Sequence, residues 1–219
     1  MKKVFAAAVV LALLLSIAGQ AAVYNLSADF AAAANPNGPW SYGGKDRVEG
    51  VPVGAFSLAT ATMSGGLPYG GSYFGWSDGL NGIWKNVDGP GSPYGIGIGQ
   101  VSISSDSTAT STVRWTAPED GTIDLAGYFG LGDYGVGHRG VFFNNVQQYM
   151  ETSTGYSFSA TLDVKAGDFI DFTVWDGGYG GNTPVDATIT LHVPEPGSLL
   201  ALAGAIVGMA GLALRKRRV

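Results

Sequence analysis

The feature that most constrains this fold is a series of short segments in which apolar and polar residues alternate, separated by turn-forming residues. Phe169–Trp175 has the clearest pattern, because Ile170, Phe172 and Val174 fall on one face and the intervening residues fall on the other. Successive side chains of a β-strand point to opposite faces, whereas a helix repeats about every 3.6 residues. No window has sustained helical periodicity, so the pattern predicts an all-β domain.

Most of the predicted strands lie in the second half of the chain. They are Thr108–Thr116, Thr122–Phe129, Gly140–Phe143, Val146–Met150, Tyr156–Val164, Phe169–Trp175 and Val185–Val193. Pro118–Gly121 has Pro and Gly where β-turns favour them, and Asn144–Asn145 suits a two-residue hairpin. Strands at intervals of about ten residues are typical of a β-sandwich or a jelly roll.

The first half is expected to be looser. Val23–Phe30 and Ala55–Met63 are predicted strands, and Asn35–Trp40 is a cluster of turn residues. Gly65–Gly99 combines many glycines with aromatic residues, which indicates long loops and short edge strands. The aromatic residues of this stretch are Tyr69, Tyr73, Phe74, Trp76, Trp84 and Tyr94.

The N-terminal residues have the three parts of a secretory signal peptide. Two lysines follow Met1, Val4–Ala18 is apolar, and small residues precede a cleavage point after Ala21. A retained membrane anchor is the alternative. We therefore expect a signal-peptide helix over 1–21, followed by an exported domain over 22–193.

The C-terminal residues, 194–219, also divide into three parts. A proline-rich motif comes first, then an apolar segment that predicts one transmembrane helix over about 198–214, then a basic cluster. The uncharged run 199–214 would rise about 24 Å as a helix, which is short for a hydrocarbon core of about 30 Å. Cations flanking the run favour a membrane span over a buried helix and predict a cytoplasmic end. The motif is Pro194, Glu195 and Pro196, and the cluster is Arg215, Lys216, Arg217 and Arg218.

This arrangement resembles the PEP-CTERM sorting signal of Gram-negative bacteria, which has a Pro-Glu-Pro motif, one hydrophobic span and an arginine-rich end. The resemblance covers about the last eighth of the chain. It implies that the helix holds the protein in the membrane until exosortase, a membrane-embedded enzyme, processes it near the motif. It also implies export across the inner membrane to the cell envelope, the cell surface or an extracellular matrix. A Gram-positive sortase signal fits less well, because Val193 and Pro196 stand where Leu and Thr belong.

A second resemblance concerns the exported domain. Asn35–Gly43, Val113–Gly121 and Ala166–Val174 are similar to stretches of exported sandwich domains from planctomycetes and related bacteria. Those domains look similar to carbohydrate-binding jelly rolls. The resemblance implies a single β-sandwich or jelly-roll domain over 22–193, which is long enough to bury a core without help.

The exported part is acidic and has no cysteine. Six of the 12 lysines and arginines lie in the terminal segments 1–21 and 194–219. Of the 17 carboxylates, all except Glu195 lie in the exported part, 22–193. Acidity disfavours nucleic acid and anionic membranes as partners of the domain, and it is compatible with neutral glycans. The absence of cysteine means that the domain folds without disulfides.

Catalytic patterns are weak, and we predict no catalytic residue. The two histidines, His138 and His192, accompany no nucleophile-elbow motif. The many carboxylates single out no glycosidase pair. Gly130–Gly135 matches GxGxxG but lacks the helix and the βαβ context of a dinucleotide site. These features favour a protein that is not an enzyme, with a polysaccharide-acting hydrolase as the weaker alternative.

Glycan binding is the leading hypothesis for a ligand, and an extracellular polysaccharide is the expected partner. Sugar rings stack on aromatic faces, and polar loop groups fix their hydroxyls. The alternative is that the aromatic residues fill the sandwich, in which case the protein is a self-associating surface component without a small ligand. The candidate stacking residues are Trp76, Trp84, Trp175, Tyr69 and Tyr73.

A calcium site is a further expectation, at the glycine-rich loop that precedes the last strand. Asp176, Asn182 and Asp186 offer the hard oxygen ligands that Ca²⁺ takes. The competing interpretation is that the Asp, Asn and Gly residues serve turn geometry. No other cofactor is predicted.

Overall fold

The computed structural model describes residues 20–77, 82–89, 91–105, 110–133, 137–152, 155–175 and 181–193. These residues form fourteen β-strands, one short α-helix, α1 (Leu26–Asp29), and one 3-10 turn (Pro93–Gly95), so the prediction of an all-β fold is confirmed. The strands are β1 (Gln20–Asn25), β2 (Trp40–Lys45), β3 (Phe56–Leu58), β4 (Ala61–Gly66), β5 (Ser72–Ser77), β6 (Gly82–Asn86), β7 (Val101–Ser105), β8 (Thr110–Thr116), β9 (Gly121–Phe129), β10 (His138–Phe143), β11 (Val146–Glu151), β12 (Tyr156–Val164), β13 (Phe169–Trp175) and β14 (Gly181–Val193).

The strands form two antiparallel sheets. The larger sheet has the order β12-β9-β14-β7-β6-β5-β4, with β1 also paired to β14. The smaller sheet has the order β11-β10-β13-β8-β2-β3. Residues 23–190 form one compact unit. The core and the candidate site both lie within 23–190.

The core lies between the two sheets. Ile170 and Phe172 on β13 stand opposite Trp115 and Val113 on β8, and all four side chains are buried. Phe158 of the larger sheet stacks on Phe172, with ring centroids 5.7 Å apart. Directly opposite residues of neighbouring strands share a face. The alternation predicted for β13 is therefore confirmed, with Ile170 and Phe172 on its core side.

Other local predictions fare differently. Asn144 and Asn145 join β10 to β11 with φ of 48° and 68°, so the predicted hairpin is confirmed. The predicted strand Val23–Phe30 is wrong beyond Asn25, because the Asn25 side chain accepts a hydrogen bond from the Ala28 backbone N–H at 2.8 Å and caps α1. The predicted strand Ala55–Met63 is two strands, because the chain crosses from the smaller sheet to the larger one between β3 and β4.

The predicted targeting segments lie mostly outside the described residues. Gln20 and Ala21 begin β1, and residues 1–19 of the predicted signal peptide are not among those described. The same holds for 194–219, with the motif, the predicted span and the basic cluster. In the part of the chain that the structure describes, no helix is long and apolar enough to cross a membrane.

Candidate functional site

An aromatic cluster surrounds Trp84 on the outer face of the larger sheet. Ile83 and Trp76, which pair across β5 and β6, face the smaller sheet, so the next residue of β6, Trp84, faces outward. Its ring lies 5.5 Å from that of Tyr73 and 6.5 Å from that of Tyr94, between centroids. Trp84 is only 5% exposed. It forms a floor beneath the surrounding loops.

Two loops cover this floor. Leu67 follows β4 and Ile96 follows a short turn before β7, and both side chains are buried against Trp84. The two loops also touch near their bases, because a Cβ added to Gly89 would lie 2.5 Å from the Gly70 carbonyl oxygen. The hydrophobic contacts and this close backbone approach fix the two loops relative to each other.

Both loops contain the same turn. Leu67–Gly70 and Ser92–Gly95 both end in the tripeptide Pro-Tyr-Gly. In the first turn the Gly70 N–H donates to the Leu67 carbonyl at 3.3 Å, and in the second the Gly95 N–H donates to the Ser92 carbonyl at 2.9 Å. The tyrosines, Tyr69 and Tyr94, have φ of 68° and 56°. Pro at the second position and positive φ at the third correspond to a type II turn, whose third position favours Gly or Asn.

The two turns present their tyrosines to solvent. Tyr69 is 91% exposed and Tyr94 is 45% exposed. A bulky residue in the left-handed region is an outlier that costs about 1–3 kcal/mol, and such strain gathers at binding and catalytic sites. The Tyr69 side chain buries little surface in return. Packing within the domain therefore does not explain why tyrosine stands where the turn favours glycine.

Replacing Tyr69 with Gly is expected to raise the free energy of unfolding by about 1 kcal/mol, because glycine adopts a positive φ without steric cost. Urea denaturation of residues 22–193, followed by tryptophan fluorescence, measures the change. Tyr69→Ala is the matched control, since it removes the ring and keeps the strained backbone. A loss of stability in Tyr69→Gly equal to that in Tyr69→Ala would contradict the interpretation of strain.

Hydrogen-bonding groups lie beside the aromatic cluster. The Trp84 Nε1–H donates to Asn182 Oδ1 at 3.1 Å. The Asn182 backbone N–H and side-chain amide donate to the Asp133 carboxylate at 2.9 and 3.1 Å. Gly132, with φ of 66°, permits this approach, because a Cβ there would lie 1.7 Å from the Asn182 carbonyl oxygen. Asn182 and Asp133, which are distant from the loops in the sequence, thus place an amide and a carboxylate beside Trp84.

A second carboxylate lies at the base of the first loop. The Asp88 side chain accepts hydrogen bonds from the Ser72 backbone N–H at 2.7 Å and from the Ser72 hydroxyl at 2.9 Å. A carboxylate can accept about four hydrogen bonds, so Asp88 retains capacity for a ligand hydroxyl. The cluster therefore combines exposed rings with acceptor groups on fixed backbone.

Two of the predicted stacking residues lie elsewhere. Trp76 is buried toward the core, and its Nε1–H donates to the Ala31 carbonyl at 2.8 Å. Trp175 lies on the smaller sheet, where the His138 ring stacks on it at 5.1 Å between centroids. Both indole rings are covered, so neither offers a free face to a sugar.

Of the remaining predicted residues, Tyr73 packs against Trp84, but the Trp84 ring is as buried as that of Trp76 and offers no free face to a sugar either. Tyr69 is exposed on the turn that begins at Leu67, whose side chain packs on Trp84. Tyr94 belongs to the same cluster and was not among the predicted stacking residues. The signal that would have found it is the repeated Pro-Tyr-Gly tripeptide, which places a second tyrosine in the same type of turn. Whether these residues bind sugar stays a prediction.

Two of the three predicted calcium ligands, Asn182 and Asp186, do not come together. Asn182 and Asp186 lie four residues apart on β14, which is about 13 Å at about 3.3 Å per residue, whereas Ca²⁺ ligands lie about 2.3–2.6 Å from one ion. Asp186 instead accepts from the Ser27 backbone N–H at 3.0 Å. The third residue, Asp176, lies outside the described residues. Within the described part of the chain there is no group of three or more metal-binding side chains.

A buried ion cluster lies on the outer side of the smaller sheet. Lys45 Nζ is 2.5 Å from Asp171 Oδ2, and both side chains are fully buried. Arg114 Nε and Nη2 donate to the two Asp171 oxygens at 2.7 and 3.0 Å. The Arg114 guanidinium lies between two rings, 4.3 Å from the Phe56 centroid and 3.8 Å from the Phe169 centroid. Burial lowers the pKa of Lys45. The Asp171 carboxylate on β13 thus links Lys45 on β2 to Arg114 on β8.

The candidate site is an open surface. A depression lined by Gly43, Ala59, Trp76, Ile83 and Ser111, among other residues, is too small to hold a water molecule. The loops around Trp84, by contrast, expose their tyrosines directly. An open face of this kind suits a long chain that lies across it better than a small enclosed ligand.

Residues 192–218 match the family model of the PEP-CTERM protein-sorting motif. The chain therefore carries this sorting motif, as predicted from the Pro-Glu-Pro tripeptide at 194–196. Its two-sheet domain and this motif define the class as an exported, all-β protein of the bacterial cell envelope or cell surface. The motif also implies processing by exosortase.

No curated protein matches the sequence. Among solved structures, the chain is similar to the C-terminal CBM6 of LamC, a marine laminarinase from Zobellia galactanivorans, with 12% identity, 69% of this chain and 98% of that chain covered, and a TM-score of 0.29. A family 35 carbohydrate binding module from Clostridium thermocellum has 11% identity over 61% of this chain and 100% of that chain, with a TM-score of 0.32. Rabbit GITRL has 17% identity over 40% of this chain and 75% of that chain, with a TM-score of 0.29. Likenesses this weak favour no particular ligand.

Proposed function

We propose that the exported domain is a non-catalytic surface protein that binds glycan chains through its two Pro-Tyr-Gly turns. One observation carries the proposal. Tyr69 and Tyr94 occupy the same strained position of the same turn, and both are exposed on loops whose Leu67 and Ile96 side chains pack on the buried ring of Trp84. Two independent loops with the same costly arrangement indicate a role outside the fold.

The chemistry of this surface matches that of a sugar. The flat, apolar ring of tyrosine packs on the C–H face of a pyranose, and its hydroxyl exchanges hydrogen bonds with sugar hydroxyls. Asp88, bonded to Ser72 at the base of the first loop, and Asp133, bonded to Asn182, add acceptors. Carboxylates repel anionic polymers, so the preferred ligand is a neutral polysaccharide.

The setting follows from the targeting segments. The domain is exported behind a signal peptide over 1–21, held by the helix over about 198–214, and processed by exosortase near 194–196. It then acts at the surface or in the extracellular matrix of a Gram-negative-type bacterium. A glycan-binding domain at that place connects the cell surface to matrix polysaccharide.

The test is retention of residues 22–193 on a panel of immobilised neutral and acidic polysaccharides. We expect retention on at least one neutral polymer, with no retention on an anionic polymer of similar length, because the surface is acidic. Val146→Ala, an exposed apolar residue on β11 of the smaller sheet, is the control and is expected to bind as the wild type does. Absence of binding across the whole panel would refute the proposal and favour the self-associating alternative.

A further inference from the structure

The edge strand β4 of the larger sheet is exposed and uncharged. Five residues of Ala61–Gly66 are exposed, and Met63 is half-buried. Among the described strands β4 pairs with β5 alone, in the register Ala61↔Ser77 to Gly66↔Ser72. Its outer edge thus presents backbone N–H and C=O groups to solvent, which is the arrangement that accepts a further strand.

Three other edges of the sandwich, those of β12, β11 and β3, are protected, and β1 is a further edge because among the described strands it pairs only with β14. The β12 edge carries the exposed Asp163, and its Ser159 carbonyl accepts a hydrogen bond from the Tyr149 hydroxyl of β11. The β11 edge carries Glu151, and β3 is only three residues long. Charges and shortness are the usual means of blocking strand addition. β4 has neither protection, because it is six residues long and carries no charged side chain.

We propose that β4 pairs with β4 of a second copy of this chain. The domain is acidic, so most of its surface repels a second copy, but the 25 residues Val53–Ser77 contain no charged side chain. Two copies therefore approach along this stretch without like-charge repulsion. Identical strands paired antiparallel about a twofold axis form a closed, self-complementary contact, which ends at a dimer.

Such pairing would also orient the glycan sites, if the proposed function holds. A twofold axis perpendicular to the joined sheet keeps the outer faces of both copies on the same side. The two clusters around Trp84 would then face one polymer together, which raises the apparent affinity without new contacts. The pairing itself rests on β4 alone and stands without the glycan site.

Cysteine cross-linking of the full chain, exported by a Gram-negative host, tests the pairing. The chain has no cysteine, so any disulfide between two copies must form at the cysteine that is introduced. The single substitutions are Ala61→Cys, Thr62→Cys and Ser64→Cys. Opposite residues of antiparallel strands have Cα atoms about 4.5–5.5 Å apart, which a disulfide spans. Ser157→Cys, exposed on the protected β12 edge, is the matched control. Non-reducing gels of the oxidised protein give the dimer fraction.

We expect a dimer band that is strongest at one β4 position and about tenfold above the Ser157→Cys control. Adding Thr62→Lys to Ser64→Cys should return the band to the control level, because a lysine on each copy repels the other across the axis. Three outcomes would overturn the proposal: no β4 dimer above the control, a dimer insensitive to Thr62→Lys, or cross-linking of β4 to a different protein. Circular dichroism of each purified variant verifies that the sandwich is intact.

Discussion

Replacing Asp171 with Ala is expected to lower the free energy of unfolding by about 3–5 kcal/mol. The substitution leaves Lys45 without a counter-charge, with the Asn145 amide oxygen 2.6 Å away and two phenylalanine rings beside its ammonium group. It also leaves Arg114 without its carboxylate, between two phenylalanine rings. A buried cation without a counter-charge is costly, because the surrounding protein solvates it poorly. Urea denaturation of residues 22–193 measures the loss directly.

Two further variants test whether the loss of stability in Asp171→Ala arises from the buried, uncompensated cations and not simply from the loss of an ion pair. Asp120→Ala breaks the exposed Lys165–Asp120 pair, whose atoms are 3.1 Å apart, and an exposed hydrogen bond from the Ala166 backbone N–H. Because both interactions are exposed, the substitution should cost much less stability than Asp171→Ala. Replacing Lys45, Arg114 and Asp171 together by Met, Met and Leu removes all three charges and should recover most of the loss. If Asp171→Ala were as mild as Asp120→Ala, the cluster would not be the buried, mutually dependent unit that the distances indicate.

The ion cluster illustrates what sequence alone does not reveal. Lys45 and Asp171 are 126 positions apart, and they meet because β2, β8 and β13 are neighbours in the smaller sheet. The alternation of apolar and polar residues in β13 predicts that Asp171 and Phe172 lie on opposite faces of the sheet. It does not predict which strand pairs with β13. Strand order arises from the packing of the whole domain. The partner of a buried charge therefore emerges only with the topology.

Strand positions were predicted well where the alternation is strong. Tyr156–Val164 and Phe169–Trp175 have the predicted bounds, because their apolar residues recur at every second position and well-defined turns end them. The predictions weaken where glycine and small residues dominate. Ala55–Met63 carries too few large side chains to show which residues turn from one sheet to the other, and so β3 and β4 could not be separated.

The candidate site was predicted in part. The glycine-rich stretch from 65 to 99 predicts loops that carry stacking aromatic residues, and Tyr69 lies exposed in such a loop. Tyr73 and Trp84 lie instead on β5 and β6, where Trp84 is buried. In a five-residue strand such as β6, one step of register decides whether a tryptophan faces the core or solvent, and the pattern is too short to fix it. The turn chemistry, by contrast, was readable. Pro-Tyr-Gly occurs twice, at 68–70 and 93–95, and places tyrosine where such turns favour glycine.

Replacing both Tyr69 and Tyr94 with Ala is expected to weaken glycan binding about 100-fold, which corresponds to about 2.7 kcal/mol. Loss of one aromatic residue from a binding surface costs on the order of 1–2 kcal/mol, and the two rings lie on separate loops. Loss of the Tyr69 ring should change the free energy of unfolding little, because this ring buries almost no surface. Loss of the Tyr94 ring should lower it by about 1 kcal/mol, because this ring packs edge-on against Trp84. The single variant Tyr69→Ala therefore separates binding from stability.

Matched substitutions identify the ring as the cause. Tyr69→Phe and Tyr94→Phe keep a flat face and should retain most of the affinity, with a small loss from the missing hydroxyl. Tyr69→Leu and Tyr94→Leu keep apolar bulk without a flat face and should bind almost as weakly as the Ala variants. Equal binding by the Phe and Leu variants would show that apolar bulk, and not stacking, is recognised.

Isothermal titration calorimetry of residues 22–193 with an oligosaccharide of a retained neutral polymer tests the central claim most directly. The wild-type domain and Val146→Ala should bind it with the same affinity, and the Tyr69→Ala, Tyr94→Ala double variant should bind it about 100-fold more weakly. Unchanged affinity in the double variant, with the fold intact, would contradict the assignment of the glycan site to the two Pro-Tyr-Gly turns.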